Sequence, residues 1–125
     1  MPGSFHTGKR LRTVLPSAAR TATVTTPDLT TENANYLRIR TKVTNVAASG
    51  SITPKVQRKN PDGTYTDVLV DAAITAASES LLEIGPGLPV TANASANALI
   101  KGPYRIVVTA ANTDAVTYSV TAETF

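Results

Sequence analysis

Hydrolysis through a serine nucleophile needs a base beside it, and this chain offers a single histidine, His6. It lies in a stretch broken by Pro2, Gly3, Gly8 and Pro16. Such a stretch cannot hold a catalytic group within roughly half an ångström of its working position. Two carboxylate pairs, Asp67 with Asp71 and Glu79 with Glu83, have the residue types of a glycosidase acid and base. In strands and loops their four-residue spacing guarantees no convergence, so they read as scattered surface acids. Asn112 and Asp114 could donate oxygens to calcium, but the ion takes about six to eight and no D-x-D-x-D-G run is present. With no cysteine there is no disulfide, thiol nucleophile or cysteine-bound zinc. Gly85-Pro86-Gly87 puts a proline where a phosphate cradle uses free N–H groups. No catalytic residue, metal or cofactor is expected, and the chain is read as not an enzyme.

Cations are better represented. Arg38, Arg40 and Lys42 form an alternating row that Lys55, Arg58 and Lys59 extend. The row is a possible surface contact, with ordinary solvated surface as the plainer reading. Nucleic acid is not the expected partner, because such a face wants exposed aromatics among its bases. The aromatics are Phe5, Tyr36, Tyr65, Tyr104, Tyr118 and Phe125, and Tyr104 and Tyr118 fall in phase with apolar neighbours. The absence of tryptophan weighs against a sugar-binding platform. No apolar run approaches the ~18 residues of a membrane helix, and no signal peptide is evident.

These residues are to be positioned by strands. From residue 21 on, Thr and Val are frequent and helix signals are missing. Leu37, Ile39, Thr41 and Val43 alternate with Arg38, Arg40, Lys42 and Thr44, which predicts one buried and one wet face. Further strands are expected at 22–25, 52–59, 64–70, 81–84, 104–110 and 116–123. Pro54 cannot donate a ladder bond, so its strand is expected at an edge or a bulge. Asn60-Pro61-Asp62-Gly63 is a hairpin turn, and residues 85–101 form a long connection of the kind that crosses between sheets. About seven short strands predict an all-β fold: an antiparallel β-sandwich, immunoglobulin-like or jelly-roll.

Charge divides the chain in two. Residues 1–20 carry Lys9, Arg10, Arg12 and Arg20 and no acid; the rest carry eight bases and nine acids, so the whole net charge of +3 stems from the leader. We expect residues 1–20 to be an extended basic arm, poorly ordered alone, and residues 21–125 to be the sandwich domain. The arm is also apolar in part. Phe5, His6, Lys9, Arg10, Leu11, Arg12 and Leu15 are its candidate partner contacts, ordered on docking.

The strings LPSAARTATVT (15–25), ITPKVQ (52–57), NPDGTY (60–65), YRIVVT (104–109) and VTYSV (116–120) together resemble small virion proteins of tailed bacteriophages, of the capsid decoration or cement type. The resemblance covers most of residues 15–125 and rests largely on strand and turn chemistry. It implies a sandwich on the outer capsid surface of a virion, made in the host cytoplasm, that ties neighbouring subunits of the major capsid protein together. It also implies a homo-oligomer on the capsid lattice, with no membrane partner and no catalytic residues to carry over. A head–tail joining or tail-surface protein, or a carbohydrate-binding module, are the alternatives.

Overall fold

The computed structural model describes residues 10–31, 34–100 and 102–125. The alternation at Leu37–Val46 does what its pattern dictates: Leu37, Ile39, Thr41 and Val43 are buried, and the intervening cations are not. The strands among the described residues are β1 (Arg10–Arg20), β2 (Val24–Thr25), β3 (Leu37–Val46), β4 (Ile52–Lys59), β5 (Tyr65–Val70), β6 (Ser78–Gly85), β7 (Ser95–Asn97), β8 (Tyr104–Ala110) and β9 (Val116–Thr124). They form a five-stranded sheet in the order β1-β9-β3-β6-β7 and a four-stranded sheet in the order β2-β8-β4-β5. Every pairing is antiparallel except the short β6–β7 ladder.

The order has a simple logic. Setting β7 aside, the first strand lies beside the last, the second beside the next to last, the third beside β6, and the fourth beside β5. That is a long hairpin folded over into two layers, the jelly-roll form of the sandwich. Apolar side chains from both layers meet in one cluster, with Tyr104, Ile106 and Val108 of β8 and Val116, Tyr118 and Val120 of β9 at most 1% exposed.

The leader departs from expectation. Residues 10–20 are extended, but they are not a loose arm: they pair with β9 from Arg10↔Thr124 to Arg20↔Val116. The ladder shifts register between Thr13 and Leu15 and again between Leu15 and Ala18. These irregularities accommodate Pro16 in an edge strand, where a missing N–H is tolerated. Phe5, His6 and Lys9 lie outside the described residues.

Pro54 departs too. Its strand, β4, lies between β8 and β5 rather than at an edge. The proline is tolerated because β5 has just ended: its last pair is Lys55↔Val70, and beyond it the Pro54 carbonyl accepts from the Asp71 N–H at 2.9 Å. Two strands were understated by the sequence pattern, since β6 begins at Ser78 and the small-residue stretch of the long connection contributes β7. The 60–63 turn forms as read. The Gly63 N–H donates to the Asn60 carbonyl at 2.9 Å, and Gly63 takes φ 89°.

At one end of the five-stranded sheet, Tyr36 and Phe125 exchange backbone hydrogen bonds of 2.9 and 3.1 Å and stack their rings at 6.3 Å. The Tyr36 hydroxyl donates to the Pro86 carbonyl at 3.0 Å. The Tyr36 ring occupies the space above Gly85, where a β-carbon would stand 2.0 Å from Tyr36 Cδ1. Gly85→Ala is therefore expected to cost about 1–3 kcal/mol in denaturant unfolding, as an overpacked site does. Removing residues 1–20 strips β9 of one of its two partners and exposes the surface under Val14 and Leu15, a loss of about 2–4 kcal/mol from those two contacts.

Candidate functional site

The register of β1 decides where its cations point. Arg10 stands opposite Thr124 and Arg12 opposite Ala122, both buried residues of the inner face of β9. Both arginines are therefore on the inward side of an edge strand, at the open flank of the sandwich. Leu11, between them, faces the other way and is 69% exposed. Leu15 falls opposite Val120 and packs against the core together with Val14. Its apolar surface is used within the fold, unlike that of Leu11. At the far end of the strand the Arg20 guanidinium lies 4.6 Å over the Tyr118 ring and donates to the Tyr118 carbonyl at 2.7 Å.

Arg10 and Arg12 border a small cleft, about 260 Å³ with its open mouth, between the two sheets. Tyr104 of β8 and Ala122 and Thr124 of β9 line it, and Thr30 of the β2–β3 connection completes it. Tyr104, Ala122 and Thr124 are buried, whereas both arginines and Thr30 are exposed. The result is a phenol and a threonine under two guanidinium groups. Burial pushes the Tyr104 phenol up to about 12, against the opposing pull of the Arg12 charge. Burial also raises the Tyr118 phenol, opposed by Arg20. The sequence reading had placed Arg10 and Arg12 on a loose arm, so it missed the cleft. Its signal is the alternation Arg10-Leu11-Arg12, two cations with one apolar residue between them.

The row of cations on β3 is present but balanced. Arg38 faces Glu83 of β6 on one side and Glu123 of β9 on the other, with ion-pair distances of 3.1 and 3.8 Å. Its guanidinium also lies 5.3 Å over the Phe125 ring. Arg40 reaches Glu79 at 3.5 Å, and Lys42 is exposed. Lys55 and Lys59 do not extend this row, because β4 belongs to the other sheet.

There the charges are again balanced. Lys55 meets Asp67 at 3.3 Å, and Lys59 donates to Asp28 at 3.0 Å. Tyr65 donates to Asp28 at 2.6 Å, and Arg105 lies 3.5 Å over the Tyr65 ring. The Tyr65 and Lys59 hydrogen bonds hold the Asp28 carboxyl below its usual range, and Asp28 in turn raises both partners.

The remaining candidates do not converge. Asp67 accepts from Gln57, whereas Asp71 is buried and accepts from Ser80 and the Ala72 N–H. Glu79 and Glu83 answer different arginines. Asn112 donates to the Ser49 carbonyl, and Asp114 accepts from the Ser49 N–H, so both tie one loop to its neighbour. No group of three or more metal-ligating side chains occurs among the described residues.

No family model matches this chain, and no curated protein matches it. Solved structures do. The CBM22-1 xylan-binding domain of Paenibacillus barcinonensis Xyn10C matches at a TM-score of 0.54 and 14% identity, covering 94% of this chain and 81% of that one. A chain of the infectious bursal disease virus T13 particle matches at 0.52 and 10% identity, covering 94% of this chain and 31% of that one. The SPBc2 prophage-derived protein YomS matches at 0.48 and 14% identity, covering 93% of each chain. What the likeness shows is the fold.

The cleft carries a pH prediction. Tyr104 titrates at about 12 in the folded chain and near 10 unfolded. Its contribution is complete below pH 10 and is lost as pH rises from 10 to about 12, because the unfolded chain gives up its proton first. Chemical denaturation across that window is expected to show a fall in stability that is smaller in Tyr104→Phe.

Proposed function

We propose that this chain is a structural virion protein of a tailed phage. It decorates the outer head surface, binds the major capsid protein and bridges neighbouring capsid subunits as a homo-oligomer on the lattice. It is not an enzyme. The reading rests on Leu11, an exposed apolar side chain at the start of the first strand. Leu11 is flanked by arginines, within the twenty residues that hold all of the chain's net positive charge. On the sheet surfaces Arg38, Arg40, Lys55 and Lys59 each meet an acid. The leader therefore offers a cationic strip to an acidic neighbour, and the rigid two-layer body holds that strip at its flank. Phe5, His6 and Lys9, earlier in the sequence, would add contact area and charge to the interface.

One fold serves many functions, and the jelly roll suits this one. Sugar binding is the weaker reading. An open aromatic face is needed, yet Arg105 covers the Tyr65 ring and Tyr36 stacks on Phe125.

The test is co-sedimentation with purified heads, with mass spectrometry of the particles as a check on presence. Wild-type chain is expected to saturate the heads. Leu11→Asp and the 1–9 deletion are expected to weaken binding at least about tenfold, the effect of losing one well-buried apolar contact. Absence from purified particles, or full binding by both variants, would overturn the reading.

A further inference from the structure

Among the described residues β1 is the longest edge strand, 11 residues against 6 in β5, 3 in β7 and 2 in β2. Its two halves differ. From Arg10 to Thr13 it pairs with β9 in unbroken antiparallel register. Alternate residues of such a strand direct their N–H and C=O groups to opposite sides, so β9 satisfies half of the ladder groups here and the rest face away from it. No strand among the described residues pairs with that far side. The second half is closed to a further strand. Register shifts on both sides of Leu15 break the ladder, and Pro16 has no N–H to give. The Pro16 and Ala18 carbonyls both accept from the Arg20 guanidinium, at 2.6 and 3.4 Å. A strand coming alongside finds donors and acceptors in register over the first half alone.

We propose that the first half of β1 receives a strand of another protein, an acidic segment that continues the five-stranded sheet beyond its edge. The proposal rests on the reading of the leader as the docking surface and names how it docks. Side chains choose the occupant. A strand beside β1 presents alternate residues to the two faces of the sheet. On the inward face it meets Arg12, which is exposed, while Arg10 is already engaged. Opposite charge across a strand pair is favourable, so the residue facing Arg12 is an Asp or Glu. On the outward face the strand meets Leu11 and Thr13, where an apolar or β-branched residue covers the exposed leucine. The segment therefore alternates acid with apolar. Inward charge on an edge ordinarily repels further strands. Here it repels one kind: a second copy continuing the same sheet sets arginine against arginine, whereas an acidic strand meets its complement.

The experiment titrates the intact chain with capped peptides at low ionic strength, where exposed charges are least screened. One alternates Glu with Val over about six residues, the length of a common strand. A second carries Gln in place of Glu, and a third keeps the acidic sequence with every backbone N–H methylated. The Glu–Val peptide is expected to give saturable amide shifts at Leu11, Arg12 and Thr13 at millimolar concentration. It is also expected to slow hydrogen exchange of the β1 amides that point away from β9. The Gln peptide is expected to bind about two- to fivefold more weakly, the size of a cross-strand charge pair, and the methylated peptide not to saturate. Arg12→Glu is expected to reverse the preference, taking a Lys–Val peptide over the Glu–Val one. Unfolding curves recorded on that variant separate a lost edge from a lost fold. No saturation by the Glu–Val peptide, shifts centred away from β1, or equal binding by the methylated peptide would overturn strand addition. Equal binding of Lys–Val and Glu–Val peptides by the wild-type chain would overturn the acidic assignment. If the peptides fail while Leu11→Asp still weakens co-sedimentation, the mode of docking falls and the virion reading stands. If the chain takes the Glu–Val peptide but ignores the heads, the virion reading falls alone.

Discussion

The pairing of the first strand with the last is the constraint on which the rest depends. β9 carries Val116, Tyr118, Val120 and Ala122 into the core and needs a neighbour on each side. β3 supplies one side and β1 the other. Because β1 must run along β9, the cationic leader cannot be a free tail over its whole length. Because no strand among the described residues pairs with the far side of β1, its outward side chains and inward arginines stay at the surface of the flank. One segment is thus a structural strand and the most distinctive surface of the molecule at once.

That double role explains the chemistry of the strand. A central strand with two arginines facing inward would bury uncompensated charge at prohibitive cost. At the flank the guanidinium groups reach water while the strand still closes the ladder. Bulges around Leu15 turn the middle of the strand so that Val14 and Leu15 seal the core, and Arg20 then lies across the Tyr118 ring. Elsewhere the sheets favour balance: Arg38 sits between acids from two neighbouring strands, and Asp28 collects both Tyr65 and Lys59.

Much of the fold was legible in the residues, and the reasons are local. β3 and β9 alternate apolar with polar residues, and β8 does so except at Val107, so each declares its own buried face. The 60–63 turn declares itself through Pro61 and Gly63. β1 was obscured by its neighbours, since Gly8, Pro16 and the charge excess outweigh a short alternation that makes sense only once β9 is beside it. β7 was hidden because Ser95-Ala96-Asn97 has no strand preference and pairs only as an appendage to β6. The site was less legible than the fold. Whether a cation is balanced depends on register between distant strands, as Arg38 with Glu83 and Glu123 shows. The cleft needs two sheets and a connection to exist at all.

Amide hydrogen exchange of the free chain bears most directly on the double role of the leader. The account predicts that ladder-bonded amides of Arg10–Arg20 exchange slowly, in step with their partners on β9, while the protein stands alone in solution. Exchange across that stretch at the rate of an unstructured peptide, with β9 still protected, would contradict it.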